Sequence, residues 1–266
     1  KFLRKKIKVF NSFLELKKKH LNRKIDYIMC AITGLSGLDS TINCINITKN
    51  ISIANKESII CAWNIIDKKL KKHKTNFIPV DSEHFSIWYT LRNSSKDNIE
   101  KLYLTASGGP LLKMPLKKFR NLKINKIIKH PNWKMGAKIS VDSATMMNKV
   151  FEVIEAKKIF DLNYNQISTF VHPHSYLHAI LKFKDGMINS IAHETTMEIP
   201  INNTLGIFRN DQIKFKKIDV NKLNNLQLSD IDKKKFPLVN VLNKFPTNDS
   251  LFETVLVSVN DHLVNL

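Results

Sequence analysis

"ISIANKESIICAWNIIDKKLKKHKTNFIPVDSEH", residues 51–84, decides how the rest of the chain is read. Its first residues have the β-branched, apolar character of a short strand. "KESIICAWNIIDKKLKKH" (56–73) then changes period: Ile59, Ile60, Trp63, Ile66 and Leu70 recur at helical spacing and give a helix one apolar side. "NFIPV" (76–80) restores a strand. Upstream, "KIDYIMCAI" (24–32) is another strand candidate, closed by the glycine turn "TGLSG" (33–37), with residues 38–48 as a short helix. Strand, helix, strand, helix, strand within about 55 residues is the pattern of parallel α/β structure. Ligands of such sheets gather beyond the carboxyl ends of the strands. Three loops therefore matter: "TGLSG", "NKES" (55–58) and "DSEH" (81–84).

Beyond residue 81 the pattern becomes α+β. "LYLTA" (102–106) reads as a strand followed by "SGGP" (107–110), and residues 121–138 as a loop over a short helix. Residues 144–160 read as a helix with Met147, Val150, Phe151, Ile154 and Ile159 on its apolar side. "ISTFVH" (167–172) and "LHAILKFKDGMINSIAHE" (177–194) suggest strands, the second folded at "KDG" into a hairpin. The expected divisions are 1–80, 81–207, a polar linker at 208–240, and 241–266, where "DSLFETVLVSVNDHLVNL" (249–266) reads as a helix.

The 266 residues are 43% hydrophobic, enough for modest cores, and no run is apolar and long enough to span a membrane. Cys30, Cys44 and Cys61 lie among apolar residues and form no disulfide framework, which points to a reducing compartment. Lysine plus arginine total 43 against 23 acidic residues, a net charge of +20. The lysines are scattered and accompany many Asn and Ile, so the excess reads as compositional bias rather than a specific nucleic-acid surface; a basic face would still favour an anionic ligand. Residues 1–24 carry ten basic groups and one acidic one. They read as the solvated helix of a domain begun upstream rather than a transit peptide, so the chain is expected to be part of something longer.

Side chains able to do chemistry cluster in a few stretches. Asp81 and Glu83 sit at a strand end, where i and i+2 point the same way. Two adjacent carboxylates suit a hard cation such as Mg²⁺ or Mn²⁺, or they form an ordinary polar strand exit. In "SVDSATMMNKVFEVIE" (140–155), Asn148 and Glu152 share a helix face with Lys149 at its shoulder. Glu152 either completes a metal site or pairs with lysines in solvent. Ser143, Asn148 and Lys149 either hold an anion, or Ser143 or Asp142 caps the helix. "SGGP" offers a hydroxyl and two free backbone N–H groups to a phosphate, or is a turn. "KHPNWKMG" (129–136) suits a lid or a packed Trp. Lys56 and Glu57 are either an N-terminal helical turn capped by Asn55, with Lys56 solvated, or Lys56 lies beside the metal site. His172, His174 and His178 lack the partners of a zinc centre and read as core or supporting groups.

Taken together, "ANKES" (54–58), "PVDSEH" (79–84), "SGGP" (107–110), the block "HPNWKMGAKISVDSATMMNK" (130–149) and "HPHS" (172–175) strongly resemble the 1-deoxy-D-xylulose 5-phosphate reductoisomerase family. Weaker similarity runs from about residue 25 to the last helix. The resemblance implies an α/β fold: the C-terminal half of a Rossmann-like parallel sheet domain, an α+β catalytic domain and the start of a helical domain. It implies an NADPH-dependent oxidoreductase with a divalent cation, Mg²⁺ or Mn²⁺. Such an enzyme rearranges a keto-sugar phosphate and reduces the aldehyde to 2-C-methyl-D-erythritol 4-phosphate. By position, Asp81, Glu83 and Glu152 match metal carboxylates, and Ser82 and Lys56 match substrate contacts. Ser107, His130, Ser143, Asn148 and Lys149 match the phosphate-gripping set, and Trp133 and Met135 a mobile lid. Gly34, Asn55, Glu57 and Gly136 are expected on the cofactor side. The implied partner is a small anionic phosphosugar, with a homodimer in the intact protein, and no membrane or specific nucleic acid. The implied setting is the cytoplasm or an organelle stroma.

The chain departs from the family pattern in lacking an early "GxTGSxG" segment and in reading "ETTMEIPI" (194–201), with Thr195 for a proline and Glu198 for an arginine. On that ground the polypeptide alone is expected to bind NADPH poorly. A metal-dependent phosphosugar enzyme without nicotinamide, and a basic nucleic-acid-binding or structural protein, are the alternative readings.

Overall fold

Two sheets organise the chain, a computed structural model of which describes residues 8–10, 12–20, 23–133, 135–206, 217–246 and 250–265. Part of the basic segment 1–24 and residues 208–216 of the expected linker lie outside these residues.

After a short helix α1 (Phe13–Lys19), capped by Ser12, comes a parallel sheet of β1 (Ile25–Cys30), β2 (Thr48–Ile53) and β3 (Asn76–Phe77) in that order. The crossovers are α2 (Gly37–Cys44) and α3 (Lys56–His73). In the central strand β2, Asn50, Ile51, Ser52 and Ile53 are all buried, as expected for a parallel strand covered on both faces. The stripe read from the sequence supplies the core: Ile59, Ile66 and Leu70 of α3 meet Ile45, Ile51 and Ile53. Asn55 caps α3 by accepting the Ser58 N–H, and Lys74 ends it in the left-handed conformation. The strand expected over 76–80 is shorter. Ile78 N–H still reaches the Ile51 carbonyl, but Pro79 has no N–H to extend the ladder. Asp81 then caps the next helix.

That helix, α4 (Ser82–Leu91), leads into a mixed sheet built from β4 (Ile99–Ala106), β5 (Ile167–Val171), β6 (Leu177–Phe183) and β7 (Ile188–Ala192). The order is β5-β4-β6-β7; β4 runs parallel to β5 and antiparallel to β6, and β6 and β7 form the expected hairpin. Between β4 and β5 lie α5 (Ile124–Ile127), α6 (Ala137–Ala144) and α7 (Met147–Phe160). Ile87 of α4 and Val153 and Ala156 of α7 pack on Leu102, Leu104 and Leu181.

The single helix expected over 144–160 is two helices. Met146 has φ 64°, which breaks the ladder between α6 and α7. Asp142 and Ser143 therefore end α6 and cap nothing in α7.

Three further helices follow: α8 (Glu198–Gly206), α9 (Val220–Asn224) and α10 (Phe252–Asn265). The described part of the expected linker is not bare: Ser229 bridges to Val171, and Ile231, Phe236 and Val239 are buried with Ala106, Leu111 and Met146. Val257 of α10 packs against Ile60, Phe151 and Ile154. Among the described residues, no helix is long and apolar enough to cross a membrane.

Candidate active site

The starts of α3, α4 and α7 converge on a cavity of about 300 Å³, within the range of small-molecule sites. The twelve residues expected to hold metal or substrate line it, namely Lys56, Asp81, Ser82, Glu83, Ser107, His130, Trp133, Met135, Ser143, Asn148, Lys149 and Glu152, and so does His178.

At the base lies a dense ionic cluster. One carboxylate oxygen from each of Asp81, Glu83 and Glu152 lies within 4.8 Å of the others. Strand alternation is not what brings them together. Asp81 is the N-cap of α4 and accepts the Glu83 N–H at 3.2 Å, so both carboxylates are gathered by a helix start. Lys56 Nζ donates to Asn148 Oδ1 at 2.7 Å and Asp81 Oδ2 at 3.3 Å, and lies 3.7 Å from Glu152. Lys149 pairs with Glu83 at 2.8 Å and with Glu152. The Asn148 amide donates to Glu152 Oε1. The solvated readings of Lys56 and Glu152 are thus overturned: their side chains are 12% and 3% exposed.

Burial works against the charge of both lysines, yet their carboxylate neighbours hold both above the ordinary lysine value. Burial also works against the Asp81 carboxylate, but Lys56, His84 and Lys149 keep it well below the usual range. Glu152 goes the other way. Burial and then the Glu83 charge push it up to about 7, against the pull of Lys149.

Glu155 and His84 belong to the same cluster. Glu155, pushed up to about 8 chiefly by burial, approaches Lys56 at 3.9 Å. His84 Nδ1 lies 3.4 Å from Asp81, and its Nε2 bonds the Glu152 carbonyl at 2.9 Å. The i+3 spacing of Glu152 and Glu155 on one helix is a sequence signal for Glu155; only packing reveals His84, which faces both Asp81 and Glu155.

The opposite wall is a neutral hydroxyl cradle. His130 Nδ1 accepts the N–H groups of Asn132 and Trp133, so its proton is on Nε2, which donates to Ser107 Oγ at 2.9 Å. Burial pushes His130 down to about 4, which keeps it in that neutral form. Ser107 Oγ also accepts the Gly109 N–H at 3.0 Å. With both lone pairs used, its own hydrogen is left to donate into the cavity. The expectation of two free glycine N–H groups is corrected here, since that of Gly109 is taken. Gly109, at φ +62°, lets the chain pass Ser143: an added Cβ would meet the Ser143 carbonyl at 2.6 Å.

Trp133 stands edge-on to His178, ring centroids 6.1 Å apart, and His178 stacks on His193 at 3.8 Å. Asn132 ties the segment down through Pro173 O and Ser175 Oγ. His172 and His178 are buried and His174 is exposed.

The residues expected on the cofactor side lie outside this cavity. Gly34 (φ 68°) gives its carbonyl to the Asn55 amide, Asn55 caps α3, Glu57 is buried against Lys138, and Gly136 precedes α6. None lines this cavity. Met197, which the sequence did not single out, does.

Comparison with known proteins follows the same lines. A family model described as the 1-deoxy-D-xylulose 5-phosphate reductoisomerase C-terminal domain matches residues 77–160, and one described as 1-deoxy-D-xylulose 5-phosphate reductoisomerase matches residues 3–63. The reductoisomerase of Pelagibacter ubique (strain HTCC1062) is 57% identical over 98% of this chain and 68% of its own length. That of Wolbachia pipientis subsp. Culex pipiens (strain wPip) is 43% identical over 80% of this chain, which spans only 54% of it. A solved DOX-P reductoisomerase in complex with NADPH, fosmidomycin and magnesium superimposes with a TM-score of 0.78 at 34% identity, over 88% of this chain and 60% of that one. The Zymomonas mobilis enzyme in complex with NADPH gives 0.81 at 30% identity, over 90% and 62%.

Proposed function

Since the chain belongs to the 1-deoxy-D-xylulose 5-phosphate reductoisomerase family, we propose that its protein converts 1-deoxy-D-xylulose 5-phosphate to 2-C-methyl-D-erythritol 4-phosphate with NADPH and a divalent cation. The observation that carries this reading is the meeting of Asp81, Glu83 and Glu152 in one cavity with the Ser107–His130 cradle.

The donor set fits a hard cation. Four buried or half-buried carboxylates (Asp81, Glu83, Glu152, Glu155) face two ammonium groups (Lys56, Lys149); four minus two leaves an excess of two negative charges when all are ionised. Oxygen ligands of this kind suit Mg²⁺ or Mn²⁺. Asp81, Glu83 and Glu152 would hold the ion. It would supply Lewis acidity towards the substrate's oxygens, and NADPH would supply the hydride.

The chain's own groups do the rest. Lys56, shared between Asp81 and Asn148, fixes the ligand carboxylates and offers a proton-bearing contact to a substrate oxygen. Ser82, Asn148 and Lys149 border the same wall. Ser107, with its hydrogen directed by His130 and Gly109, and Ser143 would grip the phosphate. Trp133 and Met135 would cover the bound sugar and exclude water from a reactive aldehyde. We assign the parallel sheet with α2 and α3 to the cofactor-bearing unit and the mixed sheet to the catalytic unit. At the edge of that sheet Ile188 of β7 and Met187 just before it are exposed, which supports a homodimer formed there.

The test is NADPH oxidation by the full-length gene product with 1-deoxy-D-xylulose 5-phosphate and Mg²⁺. Substrate-dependent oxidation abolished by Glu152→Gln supports the proposal; a folded full-length protein showing none refutes it. Turnover of a phosphosugar without NADPH consumption would replace it with a metal-dependent enzyme that uses no nicotinamide.

A further inference from the structure

Two residues past Gly136, on the first turn of α6, stands Lys138. Its ammonium meets three carboxylates from three helices: Glu57 of α3 at 2.8 Å, Asp142 of α6 at 3.4 Å and Asp261 of α10 at 3.5 Å. The Glu57 and Asp142 side chains are only 8% and 4% exposed. Asn260 of α10 donates to the second oxygen arm of Asp142 at 2.8 Å. Burial works against the charge of Lys138, and its three acidic partners outweigh that and raise it.

The surroundings give this knot a direction. Glu57 follows Lys56 on the same helical turn, so whatever fixes Glu57 also fixes the start of α3. The start of α6 has no side-chain cap, and an added Cβ on Gly136 would meet no atom within 4 Å; the Gly136 carbonyl accepts from the Ser140 N–H at 3.1 Å and the Ser140 hydroxyl at 2.9 Å, so Gly136, which closes the lid segment, moves with α6. At its other end the segment is pinned by His130, and by Asn132 to Pro173 and Ser175. Lys138 is the ionic tie on the Gly136 side. Without it, Glu57 and Asp142 would be left as buried charges lacking that partner, a costly arrangement that the first turn of α6 would relieve by moving.

We infer that Lys138 is a positioning residue that moors the first turn of α6, and with it Gly136, to α3 and α10, fixing the α6 side of the lid residues Trp133 and Met135. The role of the lid in catalysis rests on the proposed function; the mooring itself does not.

The experiment uses the full-length protein without substrate. Amide hydrogen exchange is followed in Lys138→Met and Lys138→Arg, with Asp261→Asn as a milder second variant. Lys138→Met is expected to speed exchange across 132–137 by about tenfold while α7 and β4 keep wild-type protection, and Lys138→Arg to restore most of it. Asp261→Asn is expected to give about a threefold effect confined to the same segment, and it decides the matter if Lys138→Met does not fold. In steady-state assays, KM for the phosphorylated substrate should rise about tenfold in Lys138→Met with kcat within about threefold. Unchanged exchange at 132–137, or an equal rise in α7 and β4, would overturn the inference. Absence of wild-type activity would overturn the proposed function and leave the exchange result to judge Lys138.

Discussion

Glu152→Gln is expected to stabilise the cation-free protein while destroying its cation site. Glu152 is raised from 4.5 to about 7, and its side chain is 3% exposed. Between those values the folded state holds a proton that the unfolded state has released, so stability falls as pH rises through the interval. Above pH 7 the cost is the full shift, about 3 kcal/mol at 1.36 kcal/mol per unit. Glutamine carries no charge at any pH and escapes it. It keeps an oxygen for Asn148, while Lys149 keeps Glu83 and Lys56 keeps Asp81. Its amide donors face ammonium groups, which returns about 1 kcal/mol. The net gain is about 2 kcal/mol at pH 8 and turns into a net loss of about 1 kcal/mol below pH 4.5, where only the amide cost remains. In a protein of this size the gain at pH 8 is a rise in Tm of about 5 °C. Calorimetry at pH 8 and pH 4.5 in a chelator measures it, and titration with Mn²⁺ at pH 8 measures the opposite effect. Affinity should fall by at least about 100-fold, beyond what loss of a supporting residue costs. A variant less stable than wild type at pH 8 without cation, or one that binds Mn²⁺ undiminished, would refute the electrostatic account of this cluster.

Three more outcomes are expected. Gly109→Ala drives a Cβ to 2.6 Å from the Ser143 carbonyl at a positive φ, so urea unfolding should show a loss of about 2 kcal/mol or more; a near-neutral change would mean that the α6–cradle contact is loose. Because burial pushes His130 down to about 4, the folded state stays neutral there while the unfolded chain takes up a proton below about 6.5, so this residue costs stability as pH falls from 6.5 to 4. Trp133 fluorescence, taken against Trp133→Phe, should be flat from pH 8 to 5 and change near pH 4, with no such step in His130→Asn; an onset near pH 6 contradicts a His130 held neutral by burial. Lys74, exposed at φ 50° past the end of α3, should gain about 1 kcal/mol on replacement by glycine in the same urea assay, and a loss would show that its side chain does more than the backbone requires.

Much of the architecture was legible because it is written in short periods. The stripe Ile59, Ile66, Leu70 is an α-helix whatever surrounds it, and the same residues form the core against β2. "KDG" between two apolar runs is a hairpin for equally local reasons. Misreadings came where a single backbone angle decides. Nothing in "DSATMMNK" marks Met146 as left-handed, so one helix was expected where two meet. Pro79 is visible in "NFIPV", but the cap that Asp81 makes after it is not, and strand alternation predicts the same pairing of carboxylates that a helix start produces.

The candidate site divides the same way. Residue type and resemblance were enough to name Asp81, Glu83, Glu152, Lys56, Ser107 and His130, and the cavity gathers all of them. Type alone left each with a bland alternative: a strand exit, a solvated ion pair, a turn. Tertiary packing chose between these by removing water. Burial is what raises Glu152 and Glu155, holds His130 neutral and brings His84 beside Asp81. It is also what lets Lys138 tie together α3, α6 and α10, helices far apart along the chain. Periodicity and capping depend on neighbours a turn away and can be read along a string. Desolvation and the meeting of distant charges depend on which helix ends share a cavity, and that exists only once the chain has packed.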